Sequence, residues 1–502
     1  MMALSLCGCT TLKEYIHNGF KVGPNYRRPP APVAEHWIDE GDQRLRTESC
    51  DGSQWWTVFN DPVLNDLVQI AYEQNLTLRE AGFRVLQARA RVGFTIGRLF
   101  PQSQFANGGF TQQGLSEEVA NRTFLPERFF GQFDLGFVAA WELDYWGRFR
   151  RAVEAAKDVL DASVEAYDDA LVTLLGDVAF NYVQLRSLEE QIRLTRANVQ
   201  LQRVTLDIAQ AKFKGGETSE LDVDQAQSVL SQTESFIPQL EIQLREVNNR
   251  LCVLLGIPPE ELRCKLGPAP IPVAPPEICV GIPAELIQRR PDVRRAEREA
   301  AAECARIGIA ESEFYPAITV TGTIGWSAEN FSDLFNERAW RASIGPAFRW
   351  NILNYGRIKN LVRLQDARFQ EAVVAYQNTV LQAGEDVENG IVRFLRSHQR
   401  RRYLAESVQA AEKAVKVALA QYKAGLVDFN RVALLEQNLV QQQISLVQAE
   451  AEIAQGLVLT YRALGGGWQI RCDPCGAPAA GAMPESADSG ELLPPPKPVP
   501  VE

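Results

Sequence analysis

Few residues in this 502-residue chain combine the type and spacing that chemistry needs. Leu6-Cys7-Gly8-Cys9 sets a small-residue cleavage site ahead of a cysteine. That pattern leads to thiol acylation at a new N-terminus, so Cys9 is the expected lipidation site, although the apolar run before it is short for a leader and lacks Lys or Arg. Cys472 and Cys475 form a C-x-x-C pair in a Gly/Pro-rich stretch outside any βαβ pattern. A local disulfide is a better reading of that pair than a redox or zinc site. Cys252 and Cys304 fall in helical patterns and are expected to be small buried hydrophobes. The three histidines, His17, His36 and His398, are far apart, which argues against a His-based metal or triad site. With no nucleophile–base constellation and no phosphate-binding loop, the chain is not expected to be an enzyme or to carry a cofactor. Its net charge of −11 gives nucleic-acid binding no electrostatic support. No run of apolar residues is long enough for a transmembrane helix, so any membrane crossing must be made by strands.

The elements that would position functional groups come in duplicate. Trp141 to Arg148 recurs as Trp350 to Arg357, 209 residues later. The turn at Lys214-Gly215-Gly216 recurs at Lys423-Ala424-Gly425, and Leu255-Gly256 at Leu464-Gly465, in the same register. A register held this long marks two copies of one unit. The organisation reads as a leader over 1–9, an extended segment over 10–60, a first repeat over 61–257, a Pro-rich linker over 258–283, a second repeat over 284–468 and a disordered tail over 469–502.

Each repeat opens with helices; in the first, Asp61-Pro62 supplies the cap and first-turn proline. Two runs with period two follow. Phe133, Leu135, Phe137, Ala139, Trp141 and Leu143 share one face, and in the second repeat Ile318, Val320, Gly322, Ile324 and Trp326 do the same. Runs of about ten residues with aromatic ends suit tilted membrane strands with interfacial girdles, and equally a soluble hairpin. Then Val178, Leu185, Ile192, Val199, Leu206 and Phe213 recur every seven residues. At offset 209 stand Val387, Phe394, Arg401, Val408, Val415 and Tyr422. A seven-residue repeat of this length predicts helices of about 100 Å paired as left-handed coiled coils. The glycine turns at Gly215, Gly216 and Gly425 reverse each of them. Four strands cannot close a barrel, and open edges are not tolerated in lipid. Two copies of the chain would supply eight strands and three would supply twelve. The small polar residues on the other strand face favour the wider, water-filled interior.

These motifs place the chain beside a known family. Val22-Gly23-Pro24-Asn25-Tyr26, Trp55-Trp56, Trp141-Glu142-Leu143-Asp144, Ser219-Glu220-Leu221-Asp222-Val223, Arg289-Arg290-Pro291-Asp292-Val293-Arg294 and Ala463-Leu464-Gly465-Gly466-Gly467-Trp468 stand in order and spacing. The chain resembles the TolC-like outer-membrane efflux proteins, in their OprM- or NodT-type lipoprotein branch. The resemblance implies an α+β membrane protein, a homotrimer with four strands per chain in one β-barrel, continued by a coiled-coil helical barrel in the periplasm. It implies a lipid-anchored outer-membrane channel that exports drugs or other small molecules with a periplasmic adaptor and an inner-membrane RND-type pump. It also implies a gate at the helical tip, where Asp222, Asp428 and Leu434 are the candidate residues, and adaptor contact at Gly215, Gly216 and Gly425. Leu434 falls where the family's acidic ring has Asp, so the chain departs from that pattern; a hydrophobic ring at Leu434 and a carboxylate from Asp428 are the alternatives left open. A protein-secretion duct on the same fold and a non-conducting envelope-tethering lipoprotein remain as alternatives.

Overall fold

The computed structural model describes residues 11–48, 52–116, 118 and 127–472. Cys9 and Cys475 lie outside the described residues. The main elements are α1 (Leu12–His17), α2 (Pro62–Gln74), α3 (Leu76–Gly97), β1 (Ser103–Gly114), β2 (Phe129–Leu143), α4 (Arg148–Lys214) and α5 (Glu220–Leu254). After the linker come α6 (Pro291–Ser312), β3 (Ala317–Ala328), β4 (Trp340–Arg349), α7 (Arg357–Lys423) and α8 (Phe429–Ala463).

The two long helices are each 67 residues and start 209 apart, and the two return helices are each 35 residues at the same offset. Asp61 starts α2 by accepting from the backbone N–H groups of Val63 and Leu64, as its position before Pro62 requires. The hydrophobic stripe of α4 is buried from Val178 through Leu206, but Phe213 is exposed. It lies one turn from the reversal, where the packing partners end. In α7, Arg401 interrupts the stripe and pairs at the surface with Glu450 at 3.0 Å.

The four strands form one antiparallel sheet in the order β1-β2-β3-β4. Its register aligns the alternating patterns. Leu135 faces Trp326, Phe137 faces Ile324, Trp141 faces Val320 and Leu143 faces Ile318, so one face is apolar across strands. Trp340, Ile344 and Phe348 continue that face. Aromatics gather at both of its ends: Phe110, Phe133, Trp326 and Trp340 at one, Trp141 and Phe348 at the other. The opposite face is polar. It carries more charge than expected, with Arg341 3.0 Å from Asp134, which also accepts from Ser327 at 2.8 Å. Pro346 of β4 stands opposite Val320 in the β3–β4 pair.

The helices repeat the lateral order of the strands. Nearest the sheet, α3 packs on α4, α4 on α6 and α6 on α7. Further down, α5 packs on α4, α4 on α8 and α8 on α7. Each strand therefore continues the column of its own helix. The chain is a four-column sector whose outer columns, α3 with β1 and α7 with β4, have no neighbour beyond them.

The segment before α2 is not simply extended. Thr11 and Glu14 form a reciprocal capping box that starts α1, a signal present in the sequence. Leu45 and Arg46 pair in parallel with Ile278 and Cys279, tying this segment to the linker. The ordered chain runs past the second repeat: Trp468–Arg471 forms a short 3-10 turn, and Arg471 grips the fully buried Asp168 at 2.5 and 2.9 Å. The expected local bridge at Cys472 is corrected: its thiol is free and exposed, whereas Cys279 is disulfide-bonded. Cys252 and Cys304 are buried, as expected.

Candidate functional site: the helical tips and the seam above them

Both tips use the same backbone device. Gly216 donates to the Phe213 carbonyl at 3.0 Å and Glu217 to that of Lys212 at 2.9 Å; Gly425 and Leu426 repeat these bonds to Tyr422 and Gln421 at 3.0 and 2.9 Å. This pair of bonds ends a helix with a residue in the left-handed region. Gly216 and Gly425 occupy it, with φ of +74° and +73°. Gly215 is an ordinary helical cap. A side chain at Gly216 or Gly425 would meet no neighbouring atom within 4 Å in the single chain, so the turns are open surface.

Behind the turns, the two hairpins are latched together. The Tyr422 hydroxyl donates to Oδ2 of Asp222 at 3.2 Å, and the Thr218 hydroxyl donates to the same oxygen. Burial, with the Asp222 carboxylate beside it, pushes the Tyr422 phenol up to about 12, which keeps it a donor. The Tyr422 ring packs edge-on against Phe429 at 5.4 Å, and the Lys212 ammonium lies 5.4 Å from its centroid. Lys212 also reaches Glu217 at 3.2 Å. A small core of Leu206, Ala209, Val229, Leu230, Val432 and Ala433 backs the latch. Of the expected gate residues, Asp222 is thus placed in a specific contact between repeats. Asp428 is exposed at the N-cap of α8 and makes no side-chain cap bond. Leu434 is 57% exposed, and Leu221 and Leu426 are also exposed.

Sequence reasoning missed the seam between α4 and α8. It is built from polar layers: Asn198 donates to Gln443 at 2.7 Å, and Thr205 donates to Glu436 at 2.8 Å. Further along, Gln455 donates to Gln184 at 2.8 Å. The signal was available, because Gln184, Gln191, Asn198 and Thr205 also recur every seven residues, one position before Leu185, Ile192, Val199 and Leu206. Glu436 is almost fully buried, and burial raises its carboxyl above the usual range despite the Thr205 hydrogen bond. Polar layers hold register but weaken an interface relative to apolar ones. The seam between hairpins is therefore the more separable one, while α4–α5 and α7–α8 are joined by short turns.

The Arg289-Arg290 motif is structural. Arg290 is buried, donates to the Ala463 carbonyl at 2.8 Å and pairs with Asp292 at 2.7 Å and Asp386 at 3.1 Å. It joins α6, α7 and the end of α8 where the two repeats meet. No group of His, Cys, Asp or Glu among the described residues could hold a metal ion.

A sector of amphipathic strands continued by coiled-coil hairpins defines a class of channel-forming envelope proteins. The chain belongs to the outer membrane efflux protein family, whose model matches residues 67–257 and again 282–466. It is 29% identical over 461 residues to Nodulation protein T of Rhizobium leguminosarum bv. trifolii, covering 90% of this chain and 95% of that one. It is 30% identical over 429 residues to the pyoverdine export outer membrane protein OpmQ of Pseudomonas putida, covering 84% and 90%. Among solved structures it is similar to the outer-membrane channel OprN, with a TM-score of 0.83, 30% identity and coverage of 89% of this chain and 99% of that one.

Proposed function

We propose that three copies of the chain close into one passive exit duct of an efflux system, a twelve-stranded barrel in the outer membrane continued by a helical tunnel. The observation that carries this reading is the order of the columns. Both the sheet and the helical layer end in unpaired columns on the same two sides, and an unpaired strand edge in lipid leaves backbone groups unsatisfied at several kcal/mol each. Placing β1 and α3 of one copy beside β4 and α7 of the next satisfies strands and helices together. The polar strand face then lines the lumen, and the apolar face with its two aromatic ends meets lipid. The matched element lengths at offset 209 favour an origin by internal duplication.

In this duct the tips face the periplasm, and Gly215, Gly216 and Gly425 present the turns on which a periplasmic adaptor docks. The adaptor links the duct to an inner-membrane RND-type pump, which supplies the energy. Acylated Cys9 adds a lipid anchor. The Tyr422–Asp222 latch holds the second hairpin against the first at rest, and the polar seam above it lets that hairpin move when the latch breaks. Leu434 narrows the closed tip with apolar side chains, so that the constriction gates by dewetting. OpmQ is named for export of pyoverdine, which favours small molecules as cargo here.

Planar-bilayer recording tests the duct. The wild-type protein should conduct weakly and Asp222→Asn should conduct more. Leu434→Asp should change conductance and ion selectivity; unchanged values would remove that residue from the gate. Deletion in the host should raise accumulation of small-molecule substrates. Unchanged accumulation with lost export of a protein would move the assignment to protein secretion, and absence of conductance even in latch variants would favour a tether.

A further inference from the structure

We propose that α1, with the turn that follows it, is an interfacial anchor that lies in the phospholipid leaflet at the base of the barrel. The inference rests on the barrel reading above and adds a membrane contact outside the strands. Leu12, Ile16 and Phe20 are 74%, 54% and 55% exposed; Leu12 and Ile16 stand one turn apart on α1, and Phe20 follows in the turn after it, with φ of +61°. Tyr15, between Leu12 and Ile16 in sequence, is buried. The segment is firmly docked despite this apolar exposure. The Tyr15 hydroxyl donates to the Tyr145 carbonyl at 2.7 Å, and its ring packs near Phe20 and Trp146 with centroids 5.6 and 5.8 Å apart. Arg150 donates to the carbonyls of Gly19 and Phe20, both at 2.8 Å, and Val22 donates to that of Trp146 at 3.0 Å. An exposed apolar stripe on a rigidly held segment calls for a fixed partner.

The place of docking selects that partner. Tyr145 and Trp146 lie between the last residue of β2 and the first of α4, where strand gives way to helix and the bilayer interface falls. The chain then runs over the two middle columns: Arg151 of α4 donates to Gly23 at 2.8 Å, and Tyr26 and Arg28 reach Glu297 of α6. α1 and its turn are therefore docked on the inner columns, and the chain reaches α7 only further on, where Gln377 donates to the Pro30 carbonyl at 3.0 Å. The chemistry left at that height is lipid. Exposed Tyr145 extends the apolar patch toward the strands. Cys9 precedes Thr11 by two residues in the sequence, so acylation there would add lipid chains next to this segment. Lys13 stands on the polar side, where headgroup phosphates are met.

The test uses full-length protein extracted from membranes and reconstituted in phosphatidylethanolamine–phosphatidylglycerol vesicles, with a phospholipid carrying a diazirine near the top of its acyl chain. After irradiation and trypsin digestion, adducts should appear on the peptide Glu14–Lys21 as well as on strand peptides. Ile16→Glu with Phe20→Glu should lower labelling of the corresponding peptide about fivefold or more and leave the strand peptides unchanged. In Cys9→Ser, labelling should persist, since the stripe partitions by itself. An unlabelled Glu14–Lys21 beside labelled strands overturns the proposal, as does loss of its label in Cys9→Ser. Labelled Glu14–Lys21 with unlabelled strands would sink the barrel reading and uphold the anchor. Intact mass reads acylation of Cys9 separately.

Discussion

The helices α4 and α7 start from matching glycines with φ of +81°, run 67 residues and end in the same turn, yet they live in different surroundings. The first is an inner column, covered by α3 and α6 at one end and by α5 and α8 at the other. It buries groups that only a packed environment tolerates, such as Arg186, which donates to the carbonyls of Gly267 and Leu266 at 2.7 and 3.1 Å. The second is an outer column, packed by α6, α8 and the segment around Pro30 to Arg44, and its Leu364, Val374, Leu381 and Val392 are exposed in the single chain. The difference teaches that two helices of matched length and start take their roles from their place in the sector. One unit supplies the spine of the sector, its inner column, and the other supplies the edge, its outer column.

Exchange at one equivalent pair attacks this comparison most directly. Ile192→Arg would put a guanidinium among Leu188 and Leu240, and a buried unpaired charge should cost about 3–5 kcal/mol. Arg401→Ile removes only an exposed pair and should cost no more than about 0.5 kcal/mol. Thermal melting of detergent-solubilised protein measures both; similar losses would break the distinction between spine and edge.

The latch gives a smaller effect with a sharper readout. Tyr422→Phe keeps the ring and loses the hydroxyl, so it should cost about 1 kcal/mol and raise bilayer conductance. Phe213→Tyr at the equivalent exposed position should change neither. The tips themselves should respond alike: alanine at Gly216 or at Gly425 meets no atom, so each change should cost about 1 kcal/mol, from the left-handed backbone alone. A much larger loss at one tip would show that it packs against something the other does not.

A different kind of effect is in pH. Burial pushes Asp158 of α4 up to about 6 and also raises Glu436. A carboxyl raised on folding favours the folded state while protonated, so stability should be highest in acid and fall as pH rises through the folded values. Melting temperature should therefore drop between about pH 4 and 7, and Asp158→Asn should flatten the upper part of that drop. The equivalent places in the other repeat hold Ala367 and Gln227, so replacing those residues should leave the profile unchanged.

Much of this was legible in the sequence. The helix at Pro62, the period-two faces from Phe133 and Ile318, and the turns at Gly216 and Gly425 all follow from local preferences. Other features were hidden for identifiable reasons. Thr11 and Glu14 announce α1, but no long apolar period accompanies so short a helix. The heptad at Gln184, Asn198 and Thr205 looks like a solvated stripe until α8 is laid against it. Asp222 could be assigned to the tip from its place after Gly216, but not to Tyr422, 200 residues away.

The sequence by itself determined two copies of a unit, the length of the helices, the faces of the strands and the points of reversal. Those are periodic or local properties, set by where side chains point along a helix or strand and by which residues accept left-handed turns. Only the tertiary structure decided the lateral order of the columns, and with it which copy is spine and which is edge. It also decided that Glu436 is buried, that Arg471 closes on Asp168 and that Cys472 stays free. These depend on which surfaces meet after the chain has folded, and the same heptad or charged residue serves equally well facing water or a neighbour until that meeting is fixed.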